Sequence, residues 1–200
     1  FEISLQSNGA GCLTMPGAIT YFPPPSLTGP HQVDNAGLAL MALNSTWPCA
    51  PDGIASAIWP GRVQKLDIGA LATIWPNQAI WLDGAHNAHG AQALATTLST
   101  VHDGNWNVIC GALNTRDPVE FLAPLKPLAG RVACLTIPDQ DASLSAREMS
   151  DAARHLGLAA SPAATLEACF DLLDQTAPVI ICGSLYLAGH ILIQNKTLPA

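Results

Sequence analysis

The second half of the chain alternates short apolar runs with stretches in which apolar residues recur at helical spacing. Ala79–Leu82 is followed by a predicted helix over Asn87–Val101, and Asn107–Cys110 is followed by the pair Asp117 and Pro118. Asp before Pro is typical of a helix N-terminus, because the carboxylate accepts an amide hydrogen bond and proline suits the first turn. Apolar strands that alternate with helices indicate a mostly parallel sheet with helices on both faces.

This alternation continues to the end of the chain, so we expect a Rossmann-like α/β domain over residues 61–200. The capping-box pattern S-x-x-E of Ser145 and Glu148 marks one of its helices. The other predicted elements are a strand over Arg131–Ile137, a helix that opens at Ser161 and Pro162, a strand over Val179–Cys182 and a helix over Leu185–Ile193.

The first 50 residues have a different pattern. Phe1–Ser4 and Cys12–Phe22 resemble strands, and a helix with an apolar stripe is predicted from His31 to about Ser45. At 100° per residue, Asn35 lies opposite that stripe and is free to meet solvent, another domain or a ligand. Prolines and glycines crowd together near residues 48–61, so we expect one domain to end at residue 50 and a linker over residues 51–60.

Composition narrows the classes of function. Hydrophobic residues make up 49% of the chain, enough for a packed core, whereas charged residues make up only 12%. Eight Lys and Arg against 15 Asp and Glu give a net charge of -7, which argues against a nucleic-acid partner because phosphate binding needs clustered cations. No apolar run approaches the ~20 residues of a bilayer span, so a membrane is not an expected partner either.

The six cysteines are scattered, and most of them lie in apolar runs. Buried free thiols in a reducing cytoplasm are the simplest interpretation. A zinc site needs several ligands at short spacing, and only His86 and His89 come close. We therefore assign no metal ligand to this chain.

Candidate chemistry gathers after the strand that ends near residue 82, in the run Asp83-Gly84-Ala85-His86-Asn87. In open α/β sheets, ligands bind beyond the carboxyl ends of the strands, which is where this run falls. Asp83 is either a functional carboxylate or a turn residue, and Asn87 is either a ligand or a helix N-cap. His86 is a candidate for chemistry and also has an interpretation as a surface residue.

Asp83–Asn87 resembles the signature of the folylpolyglutamate synthase and dihydrofolate synthase family, within the Mur ligase superfamily. Phe22–Ala36, Trp59–Gln64 and Ile181–Gly189 resemble three other segments of that family, in the same order. The family commonly has proline where this chain has Ala88, a change that loosens the helix start without removing a ligand.

The resemblance implies the domain organisation. Residues 1–50 would be a strand–strand–helix remnant of the central ATPase domain, and residues 61–200 the C-terminal glutamate ligase domain. The family's phosphate-binding loop ends in Gly-Lys-Ser/Thr, and this sequence contains no Gly-Lys pair. The loop and most Mg²⁺ ligands would therefore lie in an N-terminal ATPase part outside this chain, which is expected to be inactive alone.

The resemblance also implies roles for five residues. It places Asn35, Arg62 and Asp83 around ATP, His86 beside the reacting centre as the candidate catalytic base, and Ser184 at the incoming glutamate. Arg62 and Asp83 are expected to reach outward from one rim of the sheet. Each of two residues also has a purely structural interpretation. Arg62 could form a salt bridge within its loop, and Ser184 could cap the last helix.

The implied activity is that of a cytoplasmic ATP- and Mg²⁺-dependent ligase in folate biosynthesis. Such an enzyme joins L-glutamate to dihydropteroate or to a folate through an acyl phosphate. The residues present leave open which acceptor is used, the identity of the general base and the oligomeric state. Two alternatives remain: a fragment of a UDP-muramoyl peptide ligase, and a non-catalytic binding module that has kept the fold.

Overall fold

A computed structural model describes residues 1–44 and 51–197. These residues form two compact units, which divide between Trp59 and Pro60. In the first unit an antiparallel three-stranded sheet is followed by a helix and a short 3₁₀ helix. These elements are β1 (Glu2–Leu5), β2 (Gly11–Met15), β3 (Ala18–Phe22), α1 (His31–Asn44) and the 3₁₀ helix Pro51–Ser56.

The first unit differs from the sequence prediction in one element. Cys12–Phe22 is not a single strand but the hairpin of β2 and β3, in which Met15 pairs with Ala18. The turn between them contains Gly17 at φ +80°, a conformation that glycine adopts without a steric penalty. The predicted helix from His31 is confirmed as far as Asn44, and Ser45 lies outside the described residues.

The second unit is built on a six-stranded sheet. Its strands are β4 (Gln64–Lys65), β5 (Ile80–Leu82), β6 (Trp106–Cys110), β7 (Ala129–Cys134), β8 (Ala159–Pro162) and β9 (Val179–Cys182). Their order is β4-β5-β9-β6-β7-β8, with β4 antiparallel to β5 and the other strands parallel. The last of these strands in the chain, β9, therefore lies between β5 and β6. The parallel pairing of β5, β9, β6, β7 and β8 confirms the predicted, mostly parallel α/β sheet.

Helices cover both faces of this sheet. The helices that flank it are α2 (Ala70–Ile74), α3 (Ala88–Val101), α4 (Pro118–Leu122), α5 (Ala146–His155), α6 (Leu166–Asp171) and α7 (Leu185–Asn195). Val108 and Cys110 belong to one apolar cluster with α3, α4 and α5, whereas Ile109 belongs to the other with α2, α6 and α7. Each fully buried aliphatic side chain contributes roughly 1.5–3 kcal/mol, so both layers stabilise the sheet. None of the helices within the described ranges is long and apolar enough to cross a membrane.

Two predicted helix caps are confirmed. Asp117 accepts a hydrogen bond from the amide of Val119, with Pro118 in the first helical position of α4. Ser145 and Glu148 form the predicted capping box of α5, each side chain accepting from the other residue's backbone amide.

The predicted helix at Ser161 and Pro162 is wrong. Both residues belong to β8, an edge strand in which Pro162 is the last residue and pairs with Cys134. Proline is tolerated there because an edge strand has a side on which no ladder partner is required. The helix that follows begins later, at Leu166, where the side chain of Thr165 accepts the amide of Ala168.

Candidate active site at the carboxyl ends of the parallel strands

Asp83 immediately follows β5, and its side chain is turned toward the backbone. Oδ1 accepts the amide of Ala85 at 2.7 Å, and Oδ2 accepts the amide of Val63 at 2.8 Å. The residue is only 5% exposed. The expectation that Asp83 reaches outward is therefore wrong, because its carboxylate closes the turn at Gly84 and binds the loop that precedes β4.

Arg62 lies at the centre of that loop and is exposed. Its neighbours Gly61 and Val63 have φ values of +70° and +43°, and the Gly61 carbonyl accepts the amide of Gly84 at 2.8 Å. Within residues 1–44 and 51–197 no carboxylate forms an ion pair with Arg62. The loop salt bridge is thus absent from this part of the chain, and the guanidinium faces solvent.

His86 and Asn87 lead from the turn into α3. Nδ1 of the exposed His86 lies 2.9 Å from the carbonyl oxygen of Gly84. Because a carbonyl can only accept, Nδ1 carries the proton, and Nε2 of the neutral ring keeps its lone pair. Asn87 is the N-cap of α3 and accepts the amide of Gly90 at 2.8 Å, which confirms its capping interpretation.

A cleft of about 250 Å³ opens beside His86, at the carboxyl ends of β5, β6 and β9. This is the edge of an open α/β sheet where ligands bind. Its walls come from three segments that follow those three strands. The lining residues are His86, Ala112, Leu113, Thr115, Arg116, Asp117, Pro118, Phe121, Gly183, Ser184, Leu185 and Tyr186.

Ser184 lies at the floor of the cleft and is 3% exposed. Its Oγ accepts the amide of Tyr186 at 3.1 Å, so it is the N-cap of α7. The structure confirms this capping interpretation. Contact with glutamate remains a prediction.

Arg116 is a cleft residue that the sequence reasoning missed. It follows β6, is exposed, and forms no ion pair within the described ranges. The neighbouring Asp117 forms no ion pair with Arg116; its carboxylate caps α4 by accepting the amide of Val119. Polar residues after a buried strand were the signal that identified Asp83, and the same signal was available at Arg116.

A second loop braces the wall that carries Arg116. The amide of Asn114 donates to the carbonyl of Ala142 at 2.8 Å, and the amide of Leu144 donates to the carbonyl of Ala112 at 2.9 Å. Backbone bonds on both sides of Leu113 therefore hold the segment that leads into Arg116.

Residues 71–185, more than half of the chain, match the family described as Mur ligase, glutamate ligase domain. The chain belongs to this family.

Relatives and a solved structure agree with this membership. A folylpolyglutamate synthase of Lacticaseibacillus casei is 31% identical over 176 residues, which are 82% of this chain and 38% of that protein. A UDP-N-acetylmuramoyl-L-alanyl-D-glutamate--2,6-diaminopimelate ligase of Corynebacterium efficiens is 35% identical over 121 residues, 58% of this chain and 21% of that protein. The structure of Mycobacterium tuberculosis folylpolyglutamate synthase complexed with ADP and AMPPCP has a TM-score of 0.80 at 23% identity, covering all of this chain and 48% of that one.

These comparisons confirm the resemblance that the four motifs indicate. The chain spans less than half the length of the proteins it matches.

The predicted site residues are divided between the two units. Arg62, Asp83, His86 and Ser184 belong to the second unit. Asn35 belongs to the first, on the exposed side of α1, where its Nδ2 donates to the Oε1 of Gln32 at 3.0 Å. Its role at a nucleotide stays a prediction.

Three of the buried cysteines, Cys110, Cys169 and Cys182, have raised pKa values. Burial raises the pKa of Cys169 to about 12. Burial and then the charge of Asp83 raise the pKa of Cys182. A hydrogen bond to Cys134, with the sulfurs 3.6 Å apart, and then burial raise the pKa of Cys110. Thiols with raised pKa values are poor nucleophiles, so these cysteines act as core residues.

Proposed function

We propose that this chain is the C-terminal part of an ATP-dependent ligase that joins L-glutamate to dihydropteroate, to a folate, or to both. The observation that carries the proposal is the cleft between Arg116, His86 and Ser184, in a domain of the glutamate ligase family. The folylpolyglutamate synthase relative supports the folate class of acceptor.

Arg116 is the residue we assign to a carboxylate of glutamate. A guanidinium binds a carboxylate through two parallel hydrogen bonds, and this one has no competing ion pair among the described residues. The N-terminus of α7 at Ser184 adds a favourable potential for a negative group. The cleft therefore suits an anionic amino acid.

His86 is the residue we assign to the amine of glutamate. The amine must lose a proton to become a nucleophile, and Nε2 is a free acceptor because Nδ1 donates to Gly84. The turn that follows Asp83 fixes the ring at the mouth of the cleft. His86 would thus take up a proton at Nε2.

Arg62 is the residue we assign to nucleotide phosphate, since its guanidinium is exposed on a loop whose backbone is pinned. ATP would transfer its terminal phosphoryl group to the acceptor carboxylate and leave as ADP. The glutamate amine would then attack the acyl phosphate, form the amide bond and displace phosphate. Asn35, in the first unit, would read the base or ribose edge through its amide. The ADP and AMPPCP bound in the mycobacterial synthase support a nucleotide in this class of protein.

The described residues do not fit a metal site. No three His, Cys, Asp or Glu side chains in ranges 1–44 and 51–197 converge on one point. We propose that Mg²⁺ and the Gly-Lys-Ser/Thr loop belong to the ATPase part of the parent enzyme, so that this chain alone is inactive. The end of that ATPase domain would be residues 1–50, with residues 51–60 as the linker to the glutamate ligase domain.

The five described cysteines are free thiols, which suits a reducing cytoplasm.

The test is an assay of the full-length enzyme with ATP, Mg²⁺ and radiolabelled L-glutamate. Separate reactions contain dihydropteroate, tetrahydrofolate or no acceptor. We expect acceptor-dependent incorporation of glutamate with stoichiometric release of ADP. Failure with both pteridine acceptors would contradict the proposal, and activity with one of them identifies the substrate.

A peptidoglycan-precursor ligase is the second candidate, favoured by the 35% identity to the Corynebacterium efficiens enzyme. A UDP-muramoyl dipeptide offered in the same assay distinguishes it. A non-catalytic binding module would turn over none of the three acceptors.

A further inference from the structure

The carboxylate of Asp83 joins two segments that are distant in the sequence. One oxygen accepts the amide of Ala85, in its own turn, and the other accepts the amide of Val63, twenty residues earlier. The side chain is almost fully buried. A buried carboxylate is stable only when hydrogen bonds compensate its lost hydration, and these two amides provide such bonds.

Val63 has a backbone conformation that needs support. Its φ of +43° is in the left-handed region, which β-branched residues rarely occupy. Such a residue persists where its surroundings over-determine it. Here the Asp83 hydrogen bond holds its amide, and its side chain is 3% exposed in the apolar core.

Arg62 lies between this residue and Gly61, which is also held. The carbonyl of Gly61 accepts the amide of Gly84, and the amide of Gly61 donates to Oε1 of Gln64 at 2.9 Å. Both neighbours of Arg62 are thus tied to fixed groups, while the Arg62 side chain is exposed. These hydrogen bonds therefore set the direction in which the Arg62 side chain extends from the loop.

We propose that Asp83 is a positioning residue that acts on the nucleotide through Arg62. It holds Val63 in its left-handed conformation, and this directs the guanidinium toward the phosphates. The inference rests on the proposed function of Arg62 as a phosphate ligand. This indirect role can be distinguished from a direct contact between Asp83 and the ribose. In the indirect role, Asp83 affects nucleotide binding only when Arg62 is present.

A double-mutant cycle in the full-length enzyme tests this dependence. Asp83→Asn places an NH₂ or a single amide oxygen against two amide donors, so one hydrogen bond of the clamp is lost. We expect it to raise KM for ATP roughly tenfold or more while KM for glutamate stays the same. In an Arg62→Ala background, Asp83→Asn should change KM for ATP less than about threefold.

Equal effects of Asp83→Asn in the two backgrounds would overturn the proposal, because a direct contact adds independently of Arg62. Two matched controls accompany the cycle. Lys65→Ala removes a neighbouring exposed cation from β4, and Asp174→Asn removes a carboxylate that accepts the amide of Thr176 in another turn. Neither should change KM for ATP.

Limited trypsin digestion tests the clamp without any nucleotide. Trypsin cleaves after Arg62 only when the loop can leave its pinned conformation. We expect Asp83→Asn to increase cleavage at Arg62 at least several-fold relative to cleavage at exposed Lys196, whereas Asp174→Asn should not. Unchanged selectivity in Asp83→Asn would contradict the clamp.

The two readouts separate the two proposals. Selective release of the Arg62 loop together with an unchanged KM for ATP in Arg62→Ala would support the clamp and contradict the nucleotide role of Arg62.

If Asp83→Asn does not fold, a crystal structure of the wild-type enzyme with a non-hydrolysable ATP analogue replaces the variants. It should show Arg62 on phosphate and Asp83 on the amides of Val63 and Ala85. Asp83 bound to ribose with the Val63 amide released would overturn the inference.

Discussion

Gly183 packs so closely against Gly111 that a Cβ added to Gly183 would lie 2.6 Å from the carbonyl oxygen of Gly111. Gly183 also has a φ of +115°, which side chains rarely permit. The two glycines follow β9 and β6, so this contact brings together the strand ends that form the cleft. Glycine is required here for both space and conformation.

Gly183→Ala should therefore destabilise the second unit by about 2–4 kcal/mol, since strain and overpacking both act at one position. Denaturant unfolding of the full-length enzyme measures the change. Gly189→Ala is the matched control, because its Cβ would meet no atom within 4 Å and the residue lies inside α7. That variant should be neutral or up to about 1 kcal/mol more stable. Equal stability of the two variants would show that the close approach is not important.

Arg116→Gln should raise KM for glutamate about 10- to 100-fold, because the charge-assisted hydrogen bonds to a carboxylate are lost. KM for ATP should stay the same. Steady-state kinetics in the full-length enzyme measure both constants. Arg147→Gln is the control, an exposed arginine on α5 that does not line the cleft. An unchanged KM for glutamate in Arg116→Gln would place the amino acid elsewhere.

His86→Gln should lower kcat by about 10²-fold or more if Nε2 takes the proton of the glutamate amine. Glutamine keeps polarity but cannot accept a proton at neutral pH. His89→Gln, three residues further along on the exposed side of α3, should retain the parental kcat. Measurements at saturating substrates separate this effect from binding, and matching values for the two variants would remove His86 from the chemistry.

Glu148 links the stability of α5 to pH. Hydrogen bonds from the side chain and then the backbone amide of Ser145 hold the pKa of Glu148 below its usual 4.5. Its stabilising contribution is therefore complete above the unfolded pKa and is lost as pH falls through the lower folded value. Glu148→Gln should be less stable than the parent at pH 7, and the difference should shrink below about pH 4.5. Unfolding curves between pH 7 and 3 test this, with Glu120→Gln on α4 as the comparison, and a difference independent of pH would contradict it.

Local signals were the most predictable part of this molecule. The caps at Asn87, Asp117 and Ser145 depend on residues within three positions of each other, and all three are present. The apolar runs similarly identified the central parallel strands, because strands buried on both faces carry a continuous pattern. Fold class followed from these two signals.

Features that depend on distant pairing were not predictable. Pro162 ends an edge strand because β7 lies beside it, and nothing in the local sequence distinguishes this from a helix start. The burial of Asp83 depends on the return of the chain at Val63, twenty residues away. Arg116 follows the apolar strand β6 as Asp83 follows β5, so its position at this edge of the sheet was predictable from the sequence.

The position of β9 has a consequence for biosynthesis. This strand is made last but separates β5 from β6, so on the ribosome the two halves of the sheet have no shared neighbour until Val179–Cys182 emerges. Until then the nascent polypeptide exposes two unpaired apolar edges, which are sites for chaperone binding or aggregation. Synthesis of β9, rather than of the earlier helices, is therefore the event that completes the sheet.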